Sequence, residues 1–190
     1  MSSSEKELHT HASMERESSP IAKLAHLIGQ AARFNGDLYG VGKGEKAALA
    51  RLDPDGELRP HQIAALARAL IHAGLEPEGW PPETWRRWAL IAHGMALAGH
   101  ANGSLGYQLC TAGVSESRVT KLLTSRGDAF RQVLPRLLRL LASKEVAPNW
   151  HDLGWLILAE GRDEERAEAI RMRIAGRYFS ALAQSSNKTA

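Results

Sequence analysis

Apolar positions recur along this chain with helical spacing. Ile21, Leu24, Leu27, Ile28 and Ala31 lie three or four residues apart, which predicts an amphipathic helix over 21–34. Four glycines between Asn35 and Gly44 predict a loop, and Glu45–Leu52 returns to helix. Asp53-Pro54-Asp55-Gly56 is a turn signal. Pro60 suits the first turn of the next helix, where its missing N–H has no intrahelical role. That helix carries Ile63, Leu66, Ala67, Leu70 and Ile71 and ends near Gly74. After the break at Trp80-Pro81-Pro82, Trp85, Trp88, Ile91 and Met95 mark a helix over Glu83–Leu97.

The small, Gly-rich stretch Ala98–Gly106 reads as a joint. Beyond it the pattern predicts a short helix over Leu105–Thr111 and a turn at Ala112-Gly113-Val114. Ser115 is then an N-cap for a helix to about Ser125. A leucine-rich helix starts at Gly127-Asp128 and runs to about Ser143, with Pro135 inside it as a kink or as its true first turn. Trp150–Ala159 is helical, and Asp163 caps a last helix to about Leu182. No segment alternates with period two, and β-branched residues are sparse. The expected fold is all-α: two small helical bundles, 21–100 and 101–190, behind a disordered tail over 1–20. The tail is rich in Ser, Glu and His and has little to bury.

Composition narrows the class further. One cysteine, Cys110, excludes an internal disulfide, and no apolar run approaches the ~20 residues of a membrane helix. The acidic N-terminus lacks the apolar core of a signal peptide, so a soluble, cytoplasmic chain is expected. Enzyme chemistry finds few carriers. The Gly40-Val41-Gly42-Lys43-Gly44 run fails as a phosphate loop, because position 37 is Asp and Gly44 stands where Ser or Thr must bind magnesium. The His9 and His11 pair sits in the polar tail. His93 and His100 are separated by Gly99, a helix-ending signal, and no zinc-binding spacing occurs. Cys110 reads as a small apolar helix residue, and Asp163-Glu164-Glu165 as a helix start that complements the dipole. Trp85 and Trp88, one turn apart, read as core. No cofactor, metal or catalytic residue is expected.

Charge is distributed unevenly. The chain's net +3 conceals a segment, 101–144, that alone carries +5; residues 1–20 carry −2, 21–100 carry +1 and 145–190 carry −1. Arg118 and Lys121 lie one turn apart beside Val119, Leu122 and Leu123. Arg126, Arg131, Arg136, Arg139 and Lys144 follow, with Arg136 and Arg139 opposite a leucine stripe. Only Glu116 and Asp128 are near in sequence to neutralise them. Such a run is often just a solvated face; its alternative is an anionic partner, most commonly a phosphate backbone. Residues 105–125 also fit a helix-turn-helix: short helix, Gly turn, Ser cap, basic second helix.

The ordered set of these features resembles a known family. Ser104-Leu105-Gly106, Gly113, Ser-Glu-Ser-Arg118-Val-Thr-Lys121-Leu-Leu and Leu-Arg139-Leu-Leu are similar to the CasB family, the small subunit of the type I-E CRISPR Cascade. So are Asn149-Trp150 with Leu153 and Leu156, the C-terminal Ser-Asn187-Lys188-Thr-Ala, and Gly44-Glu-Lys46-Ala-Ala-Leu49-Ala-Arg51 upstream. The resemblance spans roughly 21–190. Two family positions depart: an Arg-Arg pair is Ser117-Arg118 here, and a basic Leu-Arg-Arg is Leu49-Ala50-Arg51. It implies a non-catalytic, two-lobed subunit that meets the backbone subunits, the large subunit and a second copy of itself. That subunit, in a crRNA-guided antiviral complex, helps hold the displaced strand of target DNA in the R-loop. The residues expected to track nucleic-acid phosphates are Lys43, Lys46, Arg51, Arg118, Lys121, Arg126, Arg131, Arg136 and Arg139. The rival readings are a helix-turn-helix transcription regulator using 105–125, and an assembly subunit whose basic face meets only RNA or acidic protein.

Overall fold

Ser19 opens the first helix of the computed structural model, which describes residues 19–31, 41–53 and 56–189. Its hydroxyl accepts from the Ala22 N–H at 3.2 Å, and Pro20 fills the first helical position of α1 (Pro20–Gln30). Residues 1–18 of the expected tail, with the His9/His11 pair, and most of the glycine-rich loop lie outside the described residues; Ser19 and Pro20, expected in the tail, instead start α1. Among the described residues four helices make up the first half: α1, α2 (Lys43–Ala50), α3 (Pro60–His72) and α4 (Pro82–Ala98). Five follow: α5 (Leu105–Thr111), α6 (Glu116–Thr124), α7 (Gly127–Ser143), α8 (Trp150–Ala159) and α9 (Glu164–Thr189). Among the described residues there is no strand, and the fold is all-α.

Most predicted boundaries fall within a residue or two, and the differences have local causes. Lys43 and Gly44 are helical rather than loop. Gly42 is the cap of α2, and Glu45 reaches back to accept from the Gly42 N–H at 3.0 Å. Ser115 caps α6 by position only; its hydroxyl lies 3.2 Å from that of Ser117 and bonds no helix N–H. α7 passes through Pro135, so that proline is not its first turn. α9 continues to Thr189, well past Leu182. Asp163 starts α9 as expected, accepting from the Arg166 N–H at 3.0 Å. Gly99 ends α4 at φ 74°, which separates His93 from His100.

The long apolar helix α4 is the centre. α1, α2, α7 and α8 all pack on it, and α3 packs against α1 and α2. Trp88 is buried on α4, stacked at 6.1 Å and 24° on Trp80, which meets Trp85 edge-on, as expected of core aromatics. In the second half α9 lies along α5, α8 and α6. Gly106 makes the closest approach: a Cβ there would collide with the α9 backbone at Ile174 and Tyr178. The two halves share one buried cluster, running from Ile21 and Leu24 through Ile91 to Leu138, Leu153 and Ile174. Polar ties cross the same seam. Arg87 of α4 donates to the carbonyls of Ile157 (2.7 Å) and Glu160 (2.6 Å) at the end of α8, and the Trp150 indole donates to the Gly99 carbonyl at 2.7 Å. No helix among the described residues is long and apolar enough to cross a membrane.

Candidate nucleic-acid interface

The leucine stripe of α7 dictates which way its arginines face. Leu134, Leu137, Leu138 and Leu141 are buried, so Arg136 and Arg139 are left on the exposed side. α6 repeats the arrangement: Val119 and Leu122 are buried, and Arg118 and Lys121 are exposed. None of these four cations has an ion-pair partner among the described residues. The turn before α6 is held from below, because the buried Tyr178 hydroxyl donates to the Val114 carbonyl at 2.7 Å and Gly113 adopts φ 66°. Burial raises the Tyr178 pKa, which keeps it a donor.

The two arginines between these pairs are engaged with acids that lie far away in sequence. Arg126 meets Glu168 of α9 at 2.9 Å and donates to the Leu123 and Ser125 carbonyls at the end of α6. Arg131 bridges Asp128 at 2.7 Å and Glu83 of α4 at 3.1 Å. Burial works against the Arg131 charge, but Glu83 and Asp128 outweigh it and raise its pKa. The shortage of acids in 101–144 is thus made up by α4 and α9, and only at these two positions.

The first-half cations sit on α2. Lys43 is exposed in its first turn, Lys46 is half-buried, and Arg51 is exposed at its C-cap. One residue links this helix electrostatically to α7. His93 of α4, half-buried, bonds the Leu49 carbonyl through Nδ1 at 3.2 Å. Burial lowers its pKa, the positive charge of Arg139 lowers it further, and Asp53 opposes. Arg139 and the end of α2 therefore act on one imidazole.

Three features were not legible in the sequence. Arg87 and Arg171 are structural: Arg171 is fully buried against Glu160, with Glu168 at 3.5 Å and Glu164 at 3.6 Å. Arg173 and Arg177 line a common cavity with His151; their only sequence signal is the four-residue spacing. Among the described residues no group of three or more His, Cys, Asp or Glu is placed to hold a metal ion, and Cys110 is a half-buried free thiol.

A family model described as CRISPR-associated protein Cse2 matches residues 45–179, well over half of the chain. The chain belongs to the Cse2 family. Cse2, also called CasB, is the small subunit of type I-E Cascade, a structural subunit and not a known enzyme. The match spans α3 to α8 entirely, with nearly all of α2 and the anchored part of α9. Every basic position discussed above lies within it except Lys43. No curated protein and no solved structure matches the chain significantly.

Proposed function

We propose that this Cse2-family chain acts without catalysis, by holding nucleic-acid backbone within Cascade and so stabilising the displaced strand of the R-loop. The observation that carries this reading is the set of four exposed cations, Arg118, Lys121, Arg136 and Arg139, that no acid among the described residues neutralises. Long basic side chains on a rigid, leucine-backed face suit phosphates rather than base edges, so the contact is independent of sequence. Lys43, Lys46 and Arg51 extend the surface from α2. Arg126 and Arg131 belong to it as positioning cations whose charge is partly spent on Glu168, Asp128 and Glu83. R-loop formation is a near-balanced exchange of duplexes, so modest backbone contacts are enough to shift it. Within this reading the chain works in the cytoplasm, beside the large and backbone subunits, crRNA, target DNA and a second copy of itself. The halves 21–100 and 101–190 are its two lobes.

The test uses the assembled complex. With Arg118→Glu and Lys121→Glu together, the displaced strand is expected to become accessible to a single-strand nuclease while complex assembly is unchanged. The free chain should bind an arbitrary single-stranded oligonucleotide at ~50 mM salt and lose most of that affinity by ~200 mM. Unchanged strand protection in the double variant sinks the proposal.

One observation favours a second reading. α5, the Gly113 turn and α6 form a helix-turn-helix in order, with Ser117, Arg118, Thr120, Lys121 and Thr124 exposed along the second helix. A transcription regulator of this kind would select one consensus from random DNA, which a backbone binder would not.

A further inference from the structure

Two cavities adjoin at the base of α1, and no residue of α2, α6 or α7 lines either of them. One, of about 460 Å³, is lined by Arg173 and Arg177 of α9 and by His151 and Asp152 of α8. The other, of about 700 Å³, is lined by Lys23 and His26 of α1 and by His72 of α3. Ala22, His100 and Asn102 line both, so the two spaces share a wall. Each volume lies in the range of small-molecule sites, roughly 300–1,000 Å³.

The chemistry of the smaller cavity is that of an anion site. Its one carboxylate among the described residues, Asp152, is already engaged, accepting from Arg173 at 2.7 Å and from the Leu105 N–H at 3.5 Å. Asp152 therefore fixes the direction of the Arg173 guanidinium rather than opposing an incoming anion. Arg177, one helical turn on, is exposed and has no ion-pair partner among the described residues. Two guanidinium groups on one helix face present the planar donor pattern that matches phosphate oxygens. The second cavity adds imidazoles and a lysine, with Asn102 between the two, which suits the polar, ring-bearing remainder of a phosphorylated small molecule.

We propose that the paired cavity binds a phosphomonoester of nucleotide size, with its phosphate on Arg173 and Arg177 and its organic part toward His26 and His72. The site is separate from the α6–α7 surface and does not rest on the strand-binding reading. The phosphate belongs either to a free nucleotide or to the 5′ end of a strand.

The experiment is calorimetric titration of the full chain with uridine monophosphate, uridine, and matched oligonucleotides carrying a 5′-phosphate or a 5′-hydroxyl. Uridine monophosphate is expected to bind and uridine not to. Arg177→Gln and Arg177→Glu should each weaken binding by roughly tenfold or more, as loss of a charged hydrogen bond does. Arg118→Glu with Lys121→Glu should leave it unchanged. Arg177 is exposed and has no ion-pair partner among the described residues, so both variants should melt like the parent. If uridine monophosphate does not bind but the 5′-phosphorylated oligonucleotide binds more tightly than its 5′-hydroxyl form, and Arg177→Glu abolishes that advantage, the site stands and its ligand is a strand end. Measurable binding of uridine equal to that of its monophosphate overturns the proposal, as does the absence of any 5′-phosphate-dependent binding. So does uridine monophosphate affinity that survives Arg177→Glu, or that falls equally in the α6 variant.

Discussion

Single residues decide more here through burial than through charge count. Arg171 and Glu160 are the clearest case, with side chains only 2% and 7% exposed. Glu160 also accepts from the Gly127 N–H at 2.8 Å, so one carboxylate ties the start of α7 to α9. Removing the guanidinium leaves that carboxylate buried and uncompensated. Arg171→Met is expected to cost about 3–5 kcal/mol in urea unfolding, and adding Glu160→Gln should recover part of it. Gly106→Ala should lower stability by about 1–3 kcal/mol or more, because its neighbours across the helix pair are backbone and cannot swing aside. His93 and His100 set a pH dependence: burial lowers both pKa values below the ordinary 6.5. The unfolded chain then binds protons first as the pH falls, so their stabilisation is whole above about pH 6.5 and declines below it. Unfolding free energies measured from pH 8 to pH 5 should show this fall, with a shallower slope in His93→Gln.

At the scale of the element, α6 and α7 show what amphipathic spacing can and cannot say. The leucine and valine positions require Arg118, Lys121, Arg136 and Arg139 to face outward, and the pattern alone shows this. It does not show that Arg126 and Arg131, in the same run, are bound to Glu168 and Glu83, because those acids lie 42 and 48 residues away in the chain. The two classes should separate experimentally. Charge reversal at Arg118 or Arg136 is expected to weaken oligonucleotide binding while changing stability by no more than about 0.5 kcal/mol. Reversal at Arg131 should lower the melting temperature as well, since Glu83 and Asp128 would then face a like charge. α9 teaches a similar lesson. Its period is clear to Leu182, yet the helix runs on to Thr189 through polar residues that carry no apolar period.

For the whole molecule, the arrangement around α4 predicts cooperativity. The Gly-rich stretch near residue 100 reads in the sequence as a joint between two bundles, but Trp150, Arg87 and the shared apolar cluster cross it. Calorimetry should therefore record one unfolding transition for the full chain rather than two. Two resolved transitions would mean that these ties contribute little. Under the proposed function, such a seam would hold α2 and α7 in fixed register, with Arg139 and Asp53 acting on the same His93.

The sequence by itself determined the helices, their inward faces and the excess of positive charge in 101–144. Each of these rests on interactions between residues within about four positions of one another, or on simple counting. It also determined the family, through an ordered set of short patterns. What only the tertiary structure decided is which cations are free. An arginine becomes structural when a carboxylate or a carbonyl from a distant helix is brought within about 3 Å, as for Arg87, Arg126, Arg131 and Arg171. It stays available when packing brings none among the described residues, as for Arg118, Lys121, Arg136, Arg139 and Arg177. Local periodicity holds no information about those long-range approaches, because they follow from how α4 and α9 pack and not from the run of residues around each charge.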